Sequence, residues 1–386
     1  MKYLNFLSSL FFATAVLGGF ASCNDSDVSD DDFQRREEAL APVVNQYVNN
    51  TVIITYKSLA DASIDLYNAL SALKASKTEA NLKSATDAWI ESRKWWELSE
   101  AFLFGAATNF GIDPHIDTWP LDEETFKKTI KNADFLASMD ADDDGIWASE
   151  HLGVALLGFH GIEFILYREG SPKNVSEITS DELIYAVSVA GDLRNQCIRL
   201  EAAWAGVENI SAEKRTLVEE LDLQVKPSDS RFYYGENMLN AGAAGSSYIS
   251  MADAAGAILE GCMDISAEVG ETKIGTPHSK DDVNYIESPY SFNSKTDFAD
   301  NIRSIANAYL GGIEGKRGHS VSEYIKTVDS QLDGKIQAAI TNAINKIDAI
   351  PYPFARNYAS TEAAAAMDAC DELTSLLTEA KKLVSE

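Results

Sequence analysis

The sequence is poor in cysteine and in positive charge. Four of its 386 residues are cysteines, and its 32 lysines and arginines are outnumbered by 60 aspartates and glutamates. The cysteines are widely spaced without a CxxC pair, which argues against a zinc site or a disulfide scaffold. The formal net charge of −28 repels nucleic-acid phosphates, so we expect no nucleic-acid partner. Cations, basic peptides and other proteins remain as partners.

The cysteines divide into two kinds by their surroundings. Cys197, Cys262 and Cys370 lie in apolar helical segments, and we expect them to be small buried side chains. Cys23 instead follows a positive start, an apolar stretch over 4–20 and two small residues, a pattern typical of a bacterial lipoprotein signal. We expect residues 1–22 to be removed and Cys23 to be acylated, which would anchor the protein in the cell envelope. A plain secretory signal is the alternative.

Strand patterns are almost absent, and apolar residues recur at helical spacing from residue 42 onward. We expect an all-α fold of two helical-bundle domains, over 41–175 and 176–386, preceded by a solvated acidic tether over 23–40. Capping-box spacing marks three helix starts, at Ser76/Glu79, Thr179/Glu182 and Ser320/Glu323. The predicted helices are 42–74, 76–104, 120–139, 152–167, 179–204, 211–223, 235–269, 296–310, 320–350 and 360–384.

The apolar segment 152–167 contains a candidate site, Gly158-Phe-His-Gly-Ile-Glu163. In a helix His160 and Glu163 project from one face, so an imidazole and a carboxylate can converge on one cation or proton. Gly158 and Gly161 would let a ligand or a second helix approach the backbone closely. The alternative is a hydrogen-bonded core pair.

This segment resembles the GxHxxE signature of the imelysin family, also called the insulin-cleaving membrane protease family. Two further regions resemble that family in the same order along the chain, and the resemblance runs from about residue 40 to the end. The matching residues outside the signature are Arg93, Trp96, Glu100, Ala101, Phe102, Trp119, Pro120, Glu287, Ser291, Asn301, Tyr309 and Gly311.

The resemblance implies an all-helical, exported and often lipid-anchored protein of two four-helix-bundle-like domains, with its site at the interface between them. It also implies a role in iron uptake together with other envelope proteins. The family name further implies a metal-dependent peptidase.

A metal site would need more ligands than the signature supplies. His160 and Glu163 offer two, and we expect a third from Glu100 or Glu287. Imidazole and carboxylate suit iron, and zinc is the other candidate. HExxH is absent, and HxxEH fails because Phe164 follows Glu163, so neither of these metallopeptidase signatures is complete. Iron carrier, metallopeptidase and an interaction module without metal all remain open.

The loop Asp140-Ala-Asp-Asp-Asp-Gly145 imitates the start of an EF-hand calcium loop. Its closing position holds His151 where an EF-hand has glutamate. The pattern therefore favours a solvated turn over a calcium site.

Overall fold

The computed structural model describes residues 30–142 and 144–385, and in this part of the chain nearly all regular structure is helical. The all-α prediction is confirmed. The helices are α1 (Asp30–Tyr47), α2 (Ile53–Ala75), α3 (Glu79–Glu97), α4 (Ala106–Asn109), α5 (Asp113–Asp117), α6 (Glu123–Thr129), α7 (Ala133–Asp140), α8 (Ile146–His151), α9 (Gly158–Leu166), α10 (Ser180–Ala205), α11 (Ala212–Glu220), α12 (Tyr234–Leu239), α13 (Met251–Ala267), α14 (Gly275–Ser279), α15 (Ser294–Tyr309), α16 (Val321–Val328), α17 (Ser330–Ala349), α18 (Phe354–Asn357) and α19 (Thr361–Ser385).

Short irregular elements connect these helices. π-helical segments over Val48–Val52 and Glu268–Ile274 join α1 to α2 and α13 to α14. A 3₁₀ turn, Glu100–Phe102, follows α3. The strands β1 (Tyr167–Arg168) and β2 (Ser171–Pro172) form a small antiparallel hairpin after α9. No helix in the described ranges is both long and apolar enough to cross a membrane.

The long helices pack in two groups. In the first helix group α2 packs against α3 and α10, and α9 packs against α3 and α10. In the second helix group α13, α15, α17 and α19 pack together. Contacts between α3 and α15 join the two groups, and α1 packs against α13 of the second group. The apolar core is continuous across both groups.

The packing of α10 bears on the predicted domains. It begins after the expected boundary at residue 175, yet it packs against α2 and α9 of the first helix group. The physical reason is its apolar surface, which is buried along most of its 26 residues. Its contacts place α10 with the helices that precede it in the chain. The division of the chain into domains stays a prediction.

Part of the predicted tether is folded. Residues 30–40 belong to α1, and Leu40 is fully buried. The carboxylate of Glu37 accepts hydrogen bonds from the backbone N–H groups of Met251 (2.6 Å) and Ala252 (3.1 Å) at the start of α13. A carboxylate at a helix N-terminus stabilises it, which explains why this stretch folds onto the protein. Cys23 and the rest of the tether lie outside the described residues.

Helix starts follow side-chain capping. The capping box at Thr179 and Glu182 is confirmed, and Ser320 accepts from the N–H of Glu323 as expected. The prediction at Ser76 is wrong, because Thr78 caps α3 by accepting from the N–H of Asn81 at 3.2 Å. Ser76 instead ends α2.

Candidate functional site

Arg93 is the centre of a fully buried ionic cluster. Its guanidinium pairs with Glu97 and Glu287 at 2.5 Å each, and with Asp117. Asp297 lies 3.7 Å from its Nε. Burial lowers the pKa of Arg93, but these carboxylates outweigh that effect and raise it well above its usual range. Arg93 therefore stays charged, and we call this group, together with His160 and Glu163, the Arg93 cluster.

His160 links two carboxylates of the cluster. Its Nδ1 lies 3.0 Å from Glu163 Oε2, and its Nε2 lies 2.9 Å from Asp117 Oδ1. Burial lowers the pKa of His160, but the two carboxylate hydrogen bonds outweigh it and raise the pKa to about 9. Near neutral pH the ring is a cation that donates from both nitrogens, so it offers no lone pair to a metal in this arrangement.

Glu163 is saturated with donors. Its Oε1 accepts from the N–H of Tyr290 at 3.0 Å, and from the N–H and the hydroxyl of Ser291 at 2.7 Å each. Because its Oε2 is bonded to His160, both oxygens are occupied by the protein. His160 and Glu163 lie on α9 of the first helix group, and the bonds of Glu163 join this helix to the loop before α15. Ser291, a predicted site residue, is part of this contact.

Gly158 brings α9 close to α5, where Asp117 lies. Its φ is +70°, and a Cβ there would lie 2.0 Å from the carbonyl oxygen of Ile116. Only glycine combines that conformation with that approach. A Cβ on Gly161 would come within 2.9 Å of the Tyr185 hydroxyl. The expected close approach at the signature glycines is made by neighbouring protein elements.

Asp117 accepts hydrogen bonds from three side chains on two helices. Its Oδ1 accepts from Arg93 of α3 and His160 of α9, and its Oδ2 accepts from the Trp96 indole at 2.7 Å. These cations and hydrogen bonds outweigh burial and hold the pKa of Asp117 well below its usual range. Sequence reasoning missed this residue, although Asp113 and Asp117 stand four apart just before the matching Trp119-Pro120.

Polar side chains of α15 and its preceding loop complete the cluster. Ser288 and Asn293 donate to Asp297 at 2.5 and 2.6 Å, and Asn301 donates to Glu97 Oε2 at 2.5 Å. Burial raises the pKa of Asp297 to about 7 and that of Glu97 well above its usual range. These groups hold protons far more readily than exposed carboxylates do.

Lys273 brings a second cation from the π-helical segment Glu268–Ile274. Its Nζ lies 3.2 Å from Glu287 Oε1, and 3.8 Å from both Glu97 Oε2 and Glu100 Oε1. The cluster and its neighbours thus join the cations of Arg93, His160 and Lys273 to twice as many carboxylates, on Glu97, Glu100, Asp117, Glu163, Glu287 and Asp297. Protons or further cations must balance the excess.

A pocket of 230 Å³ opens beside Lys273. Its wall includes Trp119 and Tyr285, whose ring centroids lie 4.0 Å apart. We call it the acidic pocket, because its lining holds the carboxylates of Glu100, Asp113, Asp117 and Glu268.

Three carboxylates of the acidic pocket, those of Glu100, Asp113 and Glu268, accept no hydrogen bond from any described residue. Glu100 is 8% exposed, and its only cationic neighbour there is Lys273 at 3.8 Å. Asp113 likewise accepts no hydrogen bond through its side chain in the described ranges. Burial raises the pKa of Glu100 well above its usual range and that of Asp113 to about 6. Oxygens of Glu97, Glu100 and Asp117 lie within 4.8 Å of one another, a separation that one cation can bridge.

Most of the predicted site residues lie close together in the structure, but they divide between the Arg93 cluster and the acidic pocket. Arg93, His160, Glu163, Glu287 and Ser291 lie in or against the Arg93 cluster, whereas Glu100 and Trp119 line the acidic pocket. Glu287 Oε1 is paired with Arg93 and Lys273, while its buried Oε2 has no hydrogen-bond partner among the described residues.

Two other predicted features lie apart from the cluster. Tyr309 donates to Asp333 at 3.0 Å. In the calcium-like loop Asp140 pairs with Lys74 at 2.5 Å, while Asp142 and Asp144 accept from backbone N–H groups of their own turn. Such side-chain bonds to backbone N–H groups are typical of a turn that its own aspartates stabilise. Cys197, Cys262 and Cys370 are buried and free, as expected.

The comparisons with known proteins agree with one another. Residues 52–380 match the imelysin family. A putative iron-regulated protein A precursor from Parabacteroides distasonis, known as a crystal structure, is 30% identical with a TM-score of 0.76, covering 90% of this chain and 95% of that one. Iron-regulated protein A of Synechococcus elongatus is 26% identical over 318 residues, which is 82% of this chain and 78% of that protein.

A further crystal structure shares the fold at low identity. It is an imelysin-like protein from Psychrobacter arcticum, 14% identical with a TM-score of 0.57, covering 90% of this chain and 93% of that one. Because the family match spans most of the sequence, this chain belongs to the imelysin family.

Proposed function

We propose that this protein is an extracytoplasmic, imelysin-like component of iron uptake that binds iron, as an ion or within a small complex, in the acidic pocket. Iron is the cargo in this proposal. Glu100 is the observation that carries it, because a nearly buried carboxylate without a hydrogen-bond donor faces a pocket there. The iron-regulated names of the two relatives support the choice of metal.

The donor set fits a hard cation. Glu100 and Asp113 offer carboxylate oxygens, and oxygens of Glu97 and Asp117 lie close to Glu100. Oxygen donors suit iron better than zinc, which prefers nitrogen and sulfur in protein sites. The excess of carboxylates over cations in the cluster also favours uptake of positive charge.

In this proposal His160 and Glu163 position the pocket and do not ligate the metal. Both nitrogens of His160 and both oxygens of Glu163 are already bonded to the protein. The pair holds Asp117, which lies at the boundary between the Arg93 cluster and the acidic pocket. We therefore propose Glu100 and Asp113 as the metal ligands, in place of the expected pair His160 and Glu163.

Iron binding by residues 24–386 tests the proposal. Calorimetry and elemental analysis with ferrous and ferric iron should give stoichiometric binding. Glu100→Gln and Asp113→Asn should each weaken it at least about tenfold, since each removes a ligand charge. Glu379→Gln, an exposed glutamate on α19, is the matched control and should bind as the unaltered protein does.

The same series separates the alternatives. If Glu100→Gln binds iron as the unaltered protein does, and a folded His160→Gln variant does not bind it, the metal ligands are His160 and Glu163. No binding by the folded protein would leave an interaction module. Peptide cleavage by the iron-loaded protein would add the peptidase activity that the family name implies.

We also propose that the protein is attached to the bacterial membrane through an acylated Cys23 and meets its uptake partners in the envelope. The support is the signal pattern over 1–22. Incorporation of a labelled fatty acid in cells should occur in the natural protein and be lost in Cys23→Ser. Labelling that persists in Cys23→Ser would contradict the anchor.

A further inference from the structure

A second cavity, of 790 Å³, lies beside a different face of α15. Asp297 and Asn301 of this helix face the Arg93 cluster, whereas Asp300, Arg303 and Asn307 line the second cavity. Helices α3 and α17 and the segment 310–317 form its other walls. It shares no lining residue with the acidic pocket, so a ligand there would occupy a site of its own.

The floor of this cavity is apolar. Leu98 and Ile340 are buried at its base, and Ile344 stands one turn further along α17. The indole of Trp95 adds a flat, partly buried surface from α3. A volume of this size, with a lining that mixes apolar and polar side chains, is in the range that encloses a small organic molecule.

The rim of the cavity carries basic side chains. Lys94 and Arg303 are 43% and 41% exposed, and Arg317 is exposed on the connecting segment. Arg303 pairs with Asp300 at 2.7 Å, whereas Arg317 makes no ion pair with any described residue. The lining also holds two acidic residues, Asp300 and Glu314, and Lys94 pairs with Glu91 at 3.3 Å. Arg317 is therefore the basic side chain of this lining that is left without an ionic partner among the described residues.

An arginine without an ionic partner contrasts with the whole chain, in which acidic residues outnumber basic ones by 60 to 32. Basic groups above an apolar floor fit a molecule with an anionic head and an apolar body. A second copy of so acidic a chain is a poor occupant, since like charges repel.

We propose that this cavity binds a small amphipathic anion, a carboxylate or sulfonate with an aliphatic or aromatic body. The head lies near Arg303 and Arg317, where charge-assisted hydrogen bonds form. The body lies on Trp95, Ile340 and Ile344, where it leaves water. This site is independent of iron binding in the acidic pocket.

Fluorescence titration with 8-anilinonaphthalene-1-sulfonate tests the proposal, with dodecanoate as competitor. We expect saturable binding at one site and displacement by dodecanoate. The double variant Arg303→Ala/Arg317→Ala should weaken binding of both probes at least about tenfold. Ile344→Gln should weaken them through the apolar floor while the head-group contacts remain.

The matched control removes two exposed lysines from α17, in the double variant Lys335→Ala/Lys346→Ala. It makes the same change in net charge away from the cavity and should bind both probes as the unaltered protein does. Equal weakening in the control and in the arginine variant would overturn the proposal, as would absence of saturable binding. If dodecanol displaces the dye as strongly as dodecanoate does, the ligand needs no anionic head, and that part of the proposal is wrong. Circular dichroism confirms that each variant is folded.

Discussion

Asp117 shows how much one side chain can organise. It accepts hydrogen bonds from Arg93, Trp96 and His160, which lie on two different helices, while it remains beside the acidic pocket. Its negative charge compensates two buried cations at once. Removing one partner of a buried ion pair leaves the other charge without compensation.

Asp117→Asn should therefore destabilise the protein by about 3–5 kcal/mol, the usual cost of breaking a buried ion pair. Urea unfolding followed by circular dichroism measures the change. Asp87→Asn is the control, because Asp87 forms an exposed pair with Lys83 on α3 and should change stability by less than about 1 kcal/mol. Similar small changes in both variants would show that the cluster contributes little to stability.

His160 predicts a pH dependence of stability. Its pKa is about 9 in the folded protein and about 6.5 in an unfolded chain, so folding favours the protonated ring. The resulting stabilisation is fully present below pH 6.5 and is lost as the pH rises through 9, with a total of the order of 3 kcal/mol.

Urea unfolding of the unaltered protein and of His160→Gln between pH 6 and 10 measures this dependence. Comparison of the two proteins cancels the titration of groups such as Asp297. The stability difference should shrink as the pH rises, because only the unaltered protein loses a proton from residue 160. A constant difference would mean that His160 is neutral in the folded state.

At the scale of elements, the start of α9 depends on glycine. Gly158→Ala should destabilise the protein by at least about 2 kcal/mol, because alanine resists the positive φ and its Cβ would collide with Ile116. The control is Gly334→Ala in α17, where a Cβ meets no atom within 4 Å. That change should stabilise by about 0.5–1 kcal/mol, since alanine favours a helix. In thermal unfolding, Gly158→Ala should lower the midpoint temperature and Gly334→Ala should raise it.

The longer helices followed from apolar spacing, whereas helix ends, interruptions and the short helices α4, α5, α8, α14 and α18 did not. The predicted helix over 235–269 is divided into α12 and α13 by residues 240–250, where glycine and small residues form a loop. The helical spacing continues through the π-helical segment Glu268–Ile274, so that segment could not be predicted. It nevertheless places Lys273 among the carboxylates.

At the scale of the whole molecule, the site could be predicted only in part. His160 and Glu163, three residues apart, were expected to share a helix face, and the pairing of Arg93 with Glu97, four residues apart on α3, follows from the same helical spacing. Arg93 and Glu287 are 194 residues apart, and no local pattern pairs them. Only the packing of α3 against α15 and the adjoining loop brings such residues together.

The net charge of −28 predicts a dependence on salt. Repulsion among surface carboxylates opposes the compact state, and salt screens it over about 8 Å at physiological ionic strength. The urea midpoint should rise as sodium chloride is increased from about 20 to 200 mM, a range that spans Debye lengths of roughly 20 to 7 Å. The buried ion pairs are screened much less. A midpoint that does not move would show that surface repulsion is already balanced.

The span between Arg93 and Glu287 also matters during synthesis. Proteins are made from the N-terminus, so α3 leaves the ribosome long before the loop that supplies Glu287 and Asp297. Until that loop arrives, the Arg93 guanidinium has only its nearer partners, Glu97 and Asp117. The first helix group can therefore complete its interior only after most of the polypeptide has been translated, and a prematurely terminated chain lacks two of the four carboxylates that surround Arg93 in the complete protein.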